Sequence, residues 1–419
     1  MAFEDFNLHP SVMSGVRALG YVTPTPIQER AIPAIMQGRD LIGQAQTGTG
    51  KTAAFMLPIL HRLMQGTQGR VRALIISPTR ELAEQTCQAA HDLGKFTKLQ
   101  AVSVYGGVSA DMQKRKLRQG SEIVVACPGR LLDLMYQGAL DLSDVDVLVI
   151  DEADQMFDMG FLPDVRSILK CLLKPHQTML FSATMPDDIR RLVKEVLHDP
   201  ITVQVGRSAP ATSVSHAVYP VSQHLKTGLL KEILRKTQTE SVLVFTRTKH
   251  RATSVAEQLA RAGFNAKSLQ GNLSQGQRQA AIDAFRSGRL KVLVATDIAA
   301  RGIDISRISH VINYDMPDTT DAYTHRIGRT GRVDKTGEAF TFVTNEDIAT
   351  IRAVERVLNA TLERRMLEGF DYGTPAPPST DHAPRTGFAR PGMARRSGSG
   401  SDGAHRRPPV RRPAFAAAH

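Results

Sequence analysis

The chain of 419 residues is too long for one ordinary domain, and its 42% hydrophobic content predicts that most of it is globular. Its formal net charge of +12 favours a polyanionic partner. It has no apolar run of about 20 residues and no signal pattern at its start, which predicts a cytoplasmic protein outside membranes. The cysteines, Cys87, Cys127 and Cys171, lack paired spacing, so we expect reduced, buried thiols rather than disulfides or a zinc site.

Short apolar runs alternate with longer amphipathic segments along the chain, which is typical of parallel βαβ units. The apolar runs predicted as strands are 40–43, 73–77, 123–127, 147–150, 178–182, 242–245, 292–295, 310–313 and 339–343. The pattern stops near residue 206 and then restarts, so the sequence predicts an α/β fold with two tandem doubly wound parallel-sheet domains. The predicted divisions are an N-terminal region 1–32, domains 33–206 and 217–372, a linker 207–216 and a tail 373–419.

A glycine-rich segment with the letters AQTGTGKT lies between the strand-like run 40–43 and a predicted helix that starts at Thr52. Such a loop lets backbone N–H groups surround phosphate oxygens at a helix N-terminus. Lys51 is expected to reach the β- and γ-phosphates, and Thr52 to bind Mg²⁺. Alanine stands in the first position, where the general pattern has glycine. The predicted nucleotide-binding residues are Ala45, Gln46, Thr47, Gly48, Thr49, Gly50, Lys51 and Thr52.

Two carboxylates, Asp151 and Glu152, follow the apolar run 147–150 directly. They would lie at the carboxyl end of a strand, where open α/β sheets bind ligands. Asp151 suits Mg²⁺ binding and Glu152 suits orienting and deprotonating the attacking water. The alternative is an acidic first turn of the next helix, and Lys51 upstream favours the catalytic interpretation.

With the letters DEAD at 151–154, the sequence resembles the DEAD-box RNA helicases, whose further motifs occur in order between residues 3 and 332. The resemblance implies RecA-like domains, ATP as substrate, Mg²⁺ as cofactor and RNA as partner. Gln28 is implied to read adenine, since an amide donates and accepts hydrogen bonds at once. Phe3 is implied to stack on the base and Asp304 to lie near the ribose. The alternative for Gln28 is a polar residue at a helix start.

The resemblance also implies RNA-contact loops after strands of the first domain. Small residues there let the phosphodiester backbone approach, and arginines donate hydrogen bonds to phosphates. The implied contacts are Pro78, Thr79, Arg80, Gly106, Gly107, Pro128, Gly129 and Arg130. Cys127 stands where the family usually has threonine, so a hydroxyl contact is expected to be missing. Ser182 and Thr184 resemble the motif that couples hydrolysis to strand separation, through hydrogen bonds to Asp154.

In the second predicted domain, residues 325–332 read HRIGRTGR and resemble the family's arginine-finger motif. Arg329 and Arg332 are implied to complete the γ-phosphate site when the domains close, projecting together from one helix. The alternative is a basic helix face for RNA. His325 is expected to make structural hydrogen bonds. The RNA contacts implied in this domain are Thr246, Arg247, Gln270, Gly271, Gln277, Arg278 and Thr296.

The segment 373–419 is rich in Pro, Gly, Ser and Arg, which predicts a disordered tail. Between Asp371 and His419 there are eight arginines and three aspartates, a net charge of 8 − 3 = +5. The tail is therefore expected to tether RNA electrostatically, the alternative being a solubilising tail.

The sequence as a whole predicts an RNA-dependent ATPase that unwinds short RNA duplexes locally and remodels RNA or RNA–protein complexes. Two alternatives stay open: a DNA-translocating helicase on the same core, and an RNA-binding scaffold with little turnover. Segments 226–248 and 316–332 resemble the RhlE-type bacterial branch. A monomer is the default expectation, and ribosomal particles or RNA-degradation enzymes are the partner classes considered.

Overall fold

The computed structural model describes residues 1–45, 48–205, 214–237, 239–300, 308–331 and 337–375 of the chain. Residues 1–374 belong to one compact unit that contains two parallel sheets. Within the described ranges, no helix has the length and apolarity needed to cross a bilayer.

The first sheet consists of parallel strands in the order β3-β4-β2-β5-β6-β1-β7. Its strands are β1 Leu41–Gln44, β2 Ala73–Ile76, β3 Ala101–Val104, β4 Ile123–Ala126, β5 Val147–Ile150, β6 Gln177–Ser182 and β7 Ile201–Gln204. The helices that precede and connect them are α1 Pro10–Ala18, α2 Pro26–Met36, α3 Lys51–Leu63, α4 Arg80–Leu93, α5 Ala110–Arg118, α6 Pro128–Tyr136, α7 Ala153–Asp158, α8 Leu162–Leu169 and α9 Asp187–Val196.

The second sheet is also parallel, in the order β10-β11-β9-β12-β13-β8-β14. Its strands are β8 Val214–Pro220, β9 Val242–Phe245, β10 Ala266–Leu269, β11 Val292–Ala295, β12 His310–Asn313, β13 Gly337–Val343 and β14 Glu363–Arg364. The helices are α10 Lys226–Lys236, α11 Lys249–Arg261, α12 Gln275–Arg286, α13 Asp297–Ala300, α14 Thr320–Ile327 and α15 Ile348–Leu358. Short 3-10 turns occupy Phe3–Phe6, Gln223–Leu225 and Asn345–Asp347.

The two sheets have the same strand order when each is numbered from its own first strand, namely 3-4-2-5-6-1-7. All strands within a sheet run the same way, so the loops that follow them gather at one edge, the carboxyl edge. Each sheet therefore offers the same arrangement of loops for building a site.

Hydrophobic cores lie on both faces of each sheet, as the apolar runs require. In β2, Ala73 and Ile75 belong to one core while Leu74 and Ile76 belong to the core on the other face. The period-two alternation of a strand explains why a continuous apolar run is needed here.

The predicted two-sheet α/β fold is confirmed, but some local expectations were wrong. The predicted strands are all present within one or two residues, whereas β3, β7, β8, β10 and β14 were missed. The strand β8 begins at Val214, inside the predicted linker. Only Cys87 is buried: Cys127 is partly buried and Cys171 is exposed, so a uniformly buried set of thiols was a wrong expectation.

Candidate functional site

The carboxyl edge of the first sheet separates the predicted site residues into two groups. Residues of the first domain predicted to bind phosphate, metal or water follow β1 and β5, with Ser182 at the end of β6. Residues predicted to contact RNA follow β2, β3 and β4. Since the sheet order is β3-β4-β2-β5-β6-β1, the two groups occupy opposite halves of one edge and meet between β2 and β5.

The glycine-rich loop ends in a left-handed turn that starts helix α3. Gly48 and Gly50 have φ values of 86° and 93°, a region that suits glycine, and α3 begins at Lys51. The start of α3 thus presents its backbone N–H groups toward the loop, as an anion site requires. Gln46 and Thr47, also predicted to bind nucleotide, lie outside the described residues.

Gln28 connects the start of helix α2 to the glycine loop. Its buried side-chain amide donates from Nε2 to the Gly50 carbonyl at 3.1 Å, and its Oε1 accepts from the Thr25 N–H at 2.9 Å. A Cβ at Gly50 would lie 2.5 Å from that Nε2, so glycine is needed for space as well as for its φ. The amide orientation is therefore fixed, and each end keeps capacity for one more hydrogen bond.

Phe3 lies at the first 3-10 turn and is only 1% exposed. Its ring centroid is 5.9 Å from that of Phe6 and 6.0 Å from that of Tyr21. Stacking of Phe3 on a base would require one neighbouring ring to move, and this role stays a prediction. Tyr21, which the sequence analysis passed over, is 42% exposed beside it.

Lys51 and Asp151 form a buried pair of charged groups at the ends of the glycine loop and of β5. The Lys51 Nζ and the Asp151 Oδ1 are both buried and lack hydrogen-bond partners in the described part of the chain. Burial raises the pKa of Asp151 to about 7, while Lys51 acts in the opposite direction. Two unsatisfied buried groups of opposite charge are costly, so this arrangement favours ligands that would satisfy them.

Glu152 follows Asp151 with a backbone φ of 53°, which is unusual for a residue other than glycine. Its carboxylate accepts a hydrogen bond from the buried Gln155 Nε2, one turn along α7. A non-glycine residue held in this region stores local strain, as is frequent at catalytic positions. The strand-to-helix turn and the Gln155 amide together fix the direction of the Glu152 carboxylate.

Asp154 accepts three hydrogen bonds at Oδ2 from the segment after β6. The donors are the Ala183 N–H at 3.1 Å, the Thr184 N–H at 2.9 Å and the Thr184 hydroxyl at 3.1 Å. The Asp154 N–H in turn donates to Ser182 Oγ at 3.2 Å. The hydrogen bonding predicted between these segments is thus present, and its role in coupling stays a prediction.

The loops after β2 and β3 place Arg80 against glycine. A Cβ at Gly107, whose φ is 85°, would lie 2.2 Å from the Arg80 Nη1. Gly107 is exposed, whereas Pro78 and Thr79 are buried and Thr79 Oγ1 caps helix α4 by accepting from the Leu82 N–H at 3.3 Å. Arg80 and Gly107 are thus at least partly accessible while Pro78 and Thr79 are enclosed, and RNA contact by these residues stays a prediction.

The loop after β4 is arranged in a similar way. Gly129 is exposed, with no heavy atom within 4 Å of a would-be Cβ, and Pro128 is the buried first residue of α6. Arg130 donates to the Val108 carbonyl at 3.2 Å and to Gln113 Oε1 at 3.4 Å. Burial raises the pKa of the Cys127 thiol to about 12, so this side chain is neutral beside the loop.

A narrow crevice is lined by residues of both the first and the second domain. Gln155 of α7 faces Asp297, His325, Arg326 and Arg329 across it. Gln155 also holds Glu152, so the crevice adjoins the carboxylate predicted to act on water. The second domain thereby brings two arginines and a histidine next to the first domain's candidate site.

Two family models match this chain, the DEAD/DEAH box helicase model over residues 25–192 and the helicase conserved C-terminal domain model over residues 225–334. The chain is 40% identical over 363 residues to the DEAD-box ATP-dependent RNA helicase CshA of Geobacillus kaustophilus, covering 86% of this chain and 78% of that protein. The chain belongs to the DEAD-box family of ATP-dependent RNA helicases.

Two further similarities extend along most of this DEAD-box chain. It is 43% identical over 367 residues to the ATP-dependent RNA helicase DeaD of Mycobacterium tuberculosis, covering 87% of this chain. It spans slightly less than two thirds of that relative, 65% of its length. A structure of S. cerevisiae Dbp5 bound to RNA and ADP BeF3 matches with a TM-score of 0.79 and 31% identity, covering 87% of this chain and 95% of that one.

The arginine-finger motif of this DEAD-box chain is not arranged as the sequence analysis expected. Helix α14 ends at Ile327, with Gly328 at its C-terminus and Gly331 in a left-handed conformation at φ 67°. Arg329 therefore lies in the turn after the helix, so projection of both arginines from one helix was wrong. Arg332 and Asp304 lie outside the described residues, and their roles stay predictions.

Six of the RNA contacts implied by the DEAD-box motifs are buried, namely Pro78, Thr79, Pro128, Thr246, Gln270 and Arg278. Thr246 is 0% exposed and its hydroxyl donates to the Thr248 carbonyl at 3.4 Å. Arg278 is 9% exposed and pairs with Glu81 of the first domain. Both side chains are occupied within the protein, and their contact with RNA stays a prediction. Exposed positions at the same edge remain available, namely Arg247, Gly271 and Gln277, while Thr296 is partly buried and Gln270 is buried.

Arg326 is a residue whose importance the sequence analysis missed. Its Nε and Nη2 contact the two carboxylate oxygens of Asp297 at 2.6 Å each, and its Nη1 donates to Asn313 Oδ1 at 3.2 Å and the Asp315 carbonyl at 2.7 Å. It also lies 5.1 Å from the centroid of the Phe245 ring. This buried arginine fixes α14 to the strands β9 and β12 and to helix α13, and so positions Arg329.

Proposed function

We propose that this chain hydrolyses ATP when RNA is bound, and uses the cycle to separate short RNA duplexes locally and to remodel RNA–protein complexes. The observation that supports this most is the division of the first carboxyl edge into a phosphate half and an RNA half that meet between β2 and β5. One sheet edge would thus hold both ligands, with the second domain against it.

In the phosphate half, Lys51 would bind the β- and γ-phosphates and Gln28 would read the adenine edge. The unsatisfied Nζ of Lys51 supports the first role because a phosphate would supply its missing acceptors. The remaining hydrogen-bonding capacity of Gln28, whose orientation is fixed, supports the second. Glu152, directed by Gln155, would orient and deprotonate the attacking water.

The residues around Asp151 fit a magnesium ion. Asp151 Oδ1 is buried without a hydrogen-bond partner in the described part of the chain, and carboxylate and hydroxyl oxygens are donors that Mg²⁺ accepts. Asp151 and Thr52 would hold the ion together with phosphate oxygens and water. When bound, it supplies positive charge that neutralises the phosphates.

Arg329 of the second domain would stabilise charge developing on the γ-phosphate. ATP hydrolysis would therefore require both domains. Arg326 holds Arg329 in the crevice opposite Gln155, and Asp154 connects the same region to the segment Ser182–Thr184. Closure of the two domains would complete the site, and reopening after phosphate release would release the RNA. Neither half alone is expected to hydrolyse ATP efficiently.

RNA would be bound mainly through its phosphate backbone, since the surface positions are glycines and arginines rather than readers of base edges. Arg80 against Gly107, and Arg130 beside Gly129, supply the first-domain contacts. In the second domain the exposed positions Arg247 and Gly271 follow the equivalent strands β9 and β10. Binding is therefore expected to depend strongly on salt and weakly on sequence.

An ATPase assay with single-stranded RNA and with DNA of the same sequence tests this function. We expect RNA to stimulate hydrolysis and DNA to have little effect, and Lys51→Ala to abolish the stimulated rate. Equal stimulation by DNA would instead support the DNA-translocating alternative. RNA binding without turnover would support the scaffold alternative.

We also propose that the chain belongs to the RhlE-type branch, on the basis of segments 226–248 and 316–332 and the basic tail. Ribosomal particles or RNA-degradation enzymes as partners, a monomeric state and a cytoplasmic location stay predictions. Crosslinking of the protein to RNA across a whole transcriptome would identify the RNA targets.

A further inference from the structure

Helix α5 carries an unusually dense group of positive charges. Its sequence, ADMQKRKLR, contains four cations and one acid in nine residues, namely Lys114, Arg115, Lys116, Arg118 and Asp111. None of the four cations forms an ion pair with any residue that the structure describes. By contrast, the arginines of α8 and α9 in the same domain are paired: Arg166 with Glu195 at 2.9 Å, Arg190 with Asp187 at 3.9 Å and Arg191 with Asp188 at 3.0 Å.

The helix is fixed firmly to the proposed RNA loops. It begins three residues after Gly107, and the Ser109 Oγ caps it by accepting from the Met112 N–H at 3.4 Å. The buried Gln113 donates to the Tyr105 carbonyl at 2.8 Å and accepts from Arg130 at 3.4 Å. The same arginine that would contact RNA thus also anchors α5.

The anchoring side determines which charges point outward. Gln113 is buried and Leu117 packs against a core, and these two positions share one face of the helix. Arg115, Lys116 and Arg118 are exposed on the remaining surface. A helix of nine residues is about 14 Å long, so these charges extend well beyond the glycine loop.

We propose that α5 binds the phosphate backbone of RNA that flanks the segment held by the first-domain loops, an inference that rests on the proposed function. Unpaired cations next to a phosphate path attract further phosphates by releasing counterions, independently of base sequence. The surface would hold the substrate in place while the loops act on the adjoining segment.

A competing explanation is that the cations stabilise the carboxyl end of the helix. Positive charges in a last turn interact favourably with the helix dipole, and Arg115, Lys116 and Arg118 lie there. That explanation predicts a lower melting temperature when they are removed, with no change in the salt dependence of RNA binding. The two explanations are therefore distinguished by measurement.

The test uses the full-length protein with Arg115→Gln, Lys116→Gln and Arg118→Gln combined, and a non-hydrolysable ATP analogue at saturation. Affinity for single-stranded RNA is measured by fluorescence anisotropy from about 50 to 200 mM salt. Oligonucleotides of about 8 and about 24 nucleotides are compared; the shorter lies within the ~4–16-nucleotide range of many single-strand binding sites and the longer exceeds it. With the longer RNA, the slope of log affinity against log salt should shrink by about 2, roughly 0.7 per lost contact. With the shorter RNA the slope should hardly change.

The matched control removes three exposed cations at the opposite, amino edge of the second sheet, with Arg261→Gln, Arg289→Gln and Lys291→Gln. It should match wild type in slope with both RNAs. Equal slopes for the α5 and control variants on the longer RNA would overturn the proposal. If the triple variant unfolds, Arg115→Gln and Arg118→Gln are measured singly, and each should lose about 0.7 of slope. A wild-type chain without RNA-stimulated hydrolysis would refute the proposed function instead.

Discussion

Arg278 of α12 and Glu81 of α4 form a buried ion pair that joins the two sheets' domains. Arg278 donates from Nε to Glu81 Oε1 at 2.8 Å, and its Nη2 lies 2.7 Å from the same oxygen. Arg80, the residue before Glu81, donates to Gln275 of α12 at 3.5 Å. The arginine proposed to contact RNA is thus adjacent in sequence to a buried ion pair between the domains.

Loss of one partner of this ion pair should weaken the contact between the two domains. Arg278→Gln leaves the Glu81 carboxylate buried without its partner, which typically costs about 3–5 kcal/mol where the charge stays buried. We expect the RNA concentration for half-maximal ATPase stimulation to rise at least tenfold, with ATP binding to the first domain retained. The measurement is steady-state ATPase against RNA concentration. The double variant Glu81→Gln with Arg278→Gln should recover part of the loss, and strictly additive effects would contradict a direct pairing.

Glu152→Gln should separate binding from hydrolysis. The amide keeps the size of the side chain but removes the base, so we expect ATP and RNA affinities near wild type and a rate about 10²–10⁴-fold lower. Single-turnover hydrolysis with RNA at saturation measures this. The exposed Glu257→Gln of α11 is the matched control and should leave the rate unchanged. Wild-type turnover in Glu152→Gln would refute the role proposed for Glu152.

Gly50→Ala should impair ATP binding for two reasons, the left-handed φ of Gly50 and its closeness to the Gln28 amide. Gly138→Ala, at a second left-handed glycine, tests the first reason alone. Gly50 has φ 93° and a Cβ there would lie 2.5 Å from the Gln28 amide, whereas Gly138 has φ 62° with open space around it. A left-handed alanine costs about 1–2 kcal/mol at either site. Only Gly50→Ala should weaken ATP affinity, by about tenfold or more, measured by calorimetric titration. Equal affinities in the two variants would show that the Gln28 contact is unimportant.

His216 should make the second domain less stable in acid. Its ring, in β8, stacks on Tyr323 with centroids 6.4 Å apart, and burial lowers the pKa of His216. The unfolded chain then binds this proton more strongly, so the free energy of unfolding falls as pH drops below about 6.5. His216→Phe should reduce the melting-temperature loss between about pH 7.5 and 5.5 by roughly 2–4 °C. The exposed His198→Phe should reduce this loss of melting temperature less. An equal effect of the two variants would contradict the role given to the buried His216 ring.

Removal of the basic tail should weaken RNA binding mostly at low salt. The point of truncation follows from one contact. The His224 Nε2 lies 2.8 Å from the Thr374 carbonyl oxygen, so truncation after Pro375 keeps this contact. We expect a smaller salt slope for RNA affinity and unchanged ATP affinity, measured by anisotropy titration. A salt dependence identical to wild type would remove the tether hypothesis.

Much of the fold was predictable because its central strands are buried on both faces and therefore read as apolar runs. The missed strands β3 and β10 have the sequences AVSV and AKSL and lie at sheet edges, where one face is less covered. A polar residue is tolerated there, and the apolar signal is broken. Edge position, which depends on the tertiary fold, is not encoded in a local pattern.

The site was predictable where a motif is local and less so where partners are distant. The glycine loop and Asp151 are contained within short segments, and they follow strands β1 and β5, which the apolar runs 40–43 and 147–150 predicted. Arg278 was assigned to RNA from the resemblance to the helicase family, and its contact with Glu81, 197 residues away, could not be seen in a local motif. Arg326 was passed over for the same reason, since its partner Asp297 lies on another helix.

The shared strand order of the two sheets bears on the length of RNA that the protein would distort in one cycle. In both sheets the predicted RNA positions follow the second, third and fourth strands, so each half would bind the RNA chain with equivalent loops. Two equivalent sets of loops would fix the length of RNA backbone that is bound between them. The stretch of RNA distorted in one cycle would then be set by protein architecture, whatever the bases and however long the duplex.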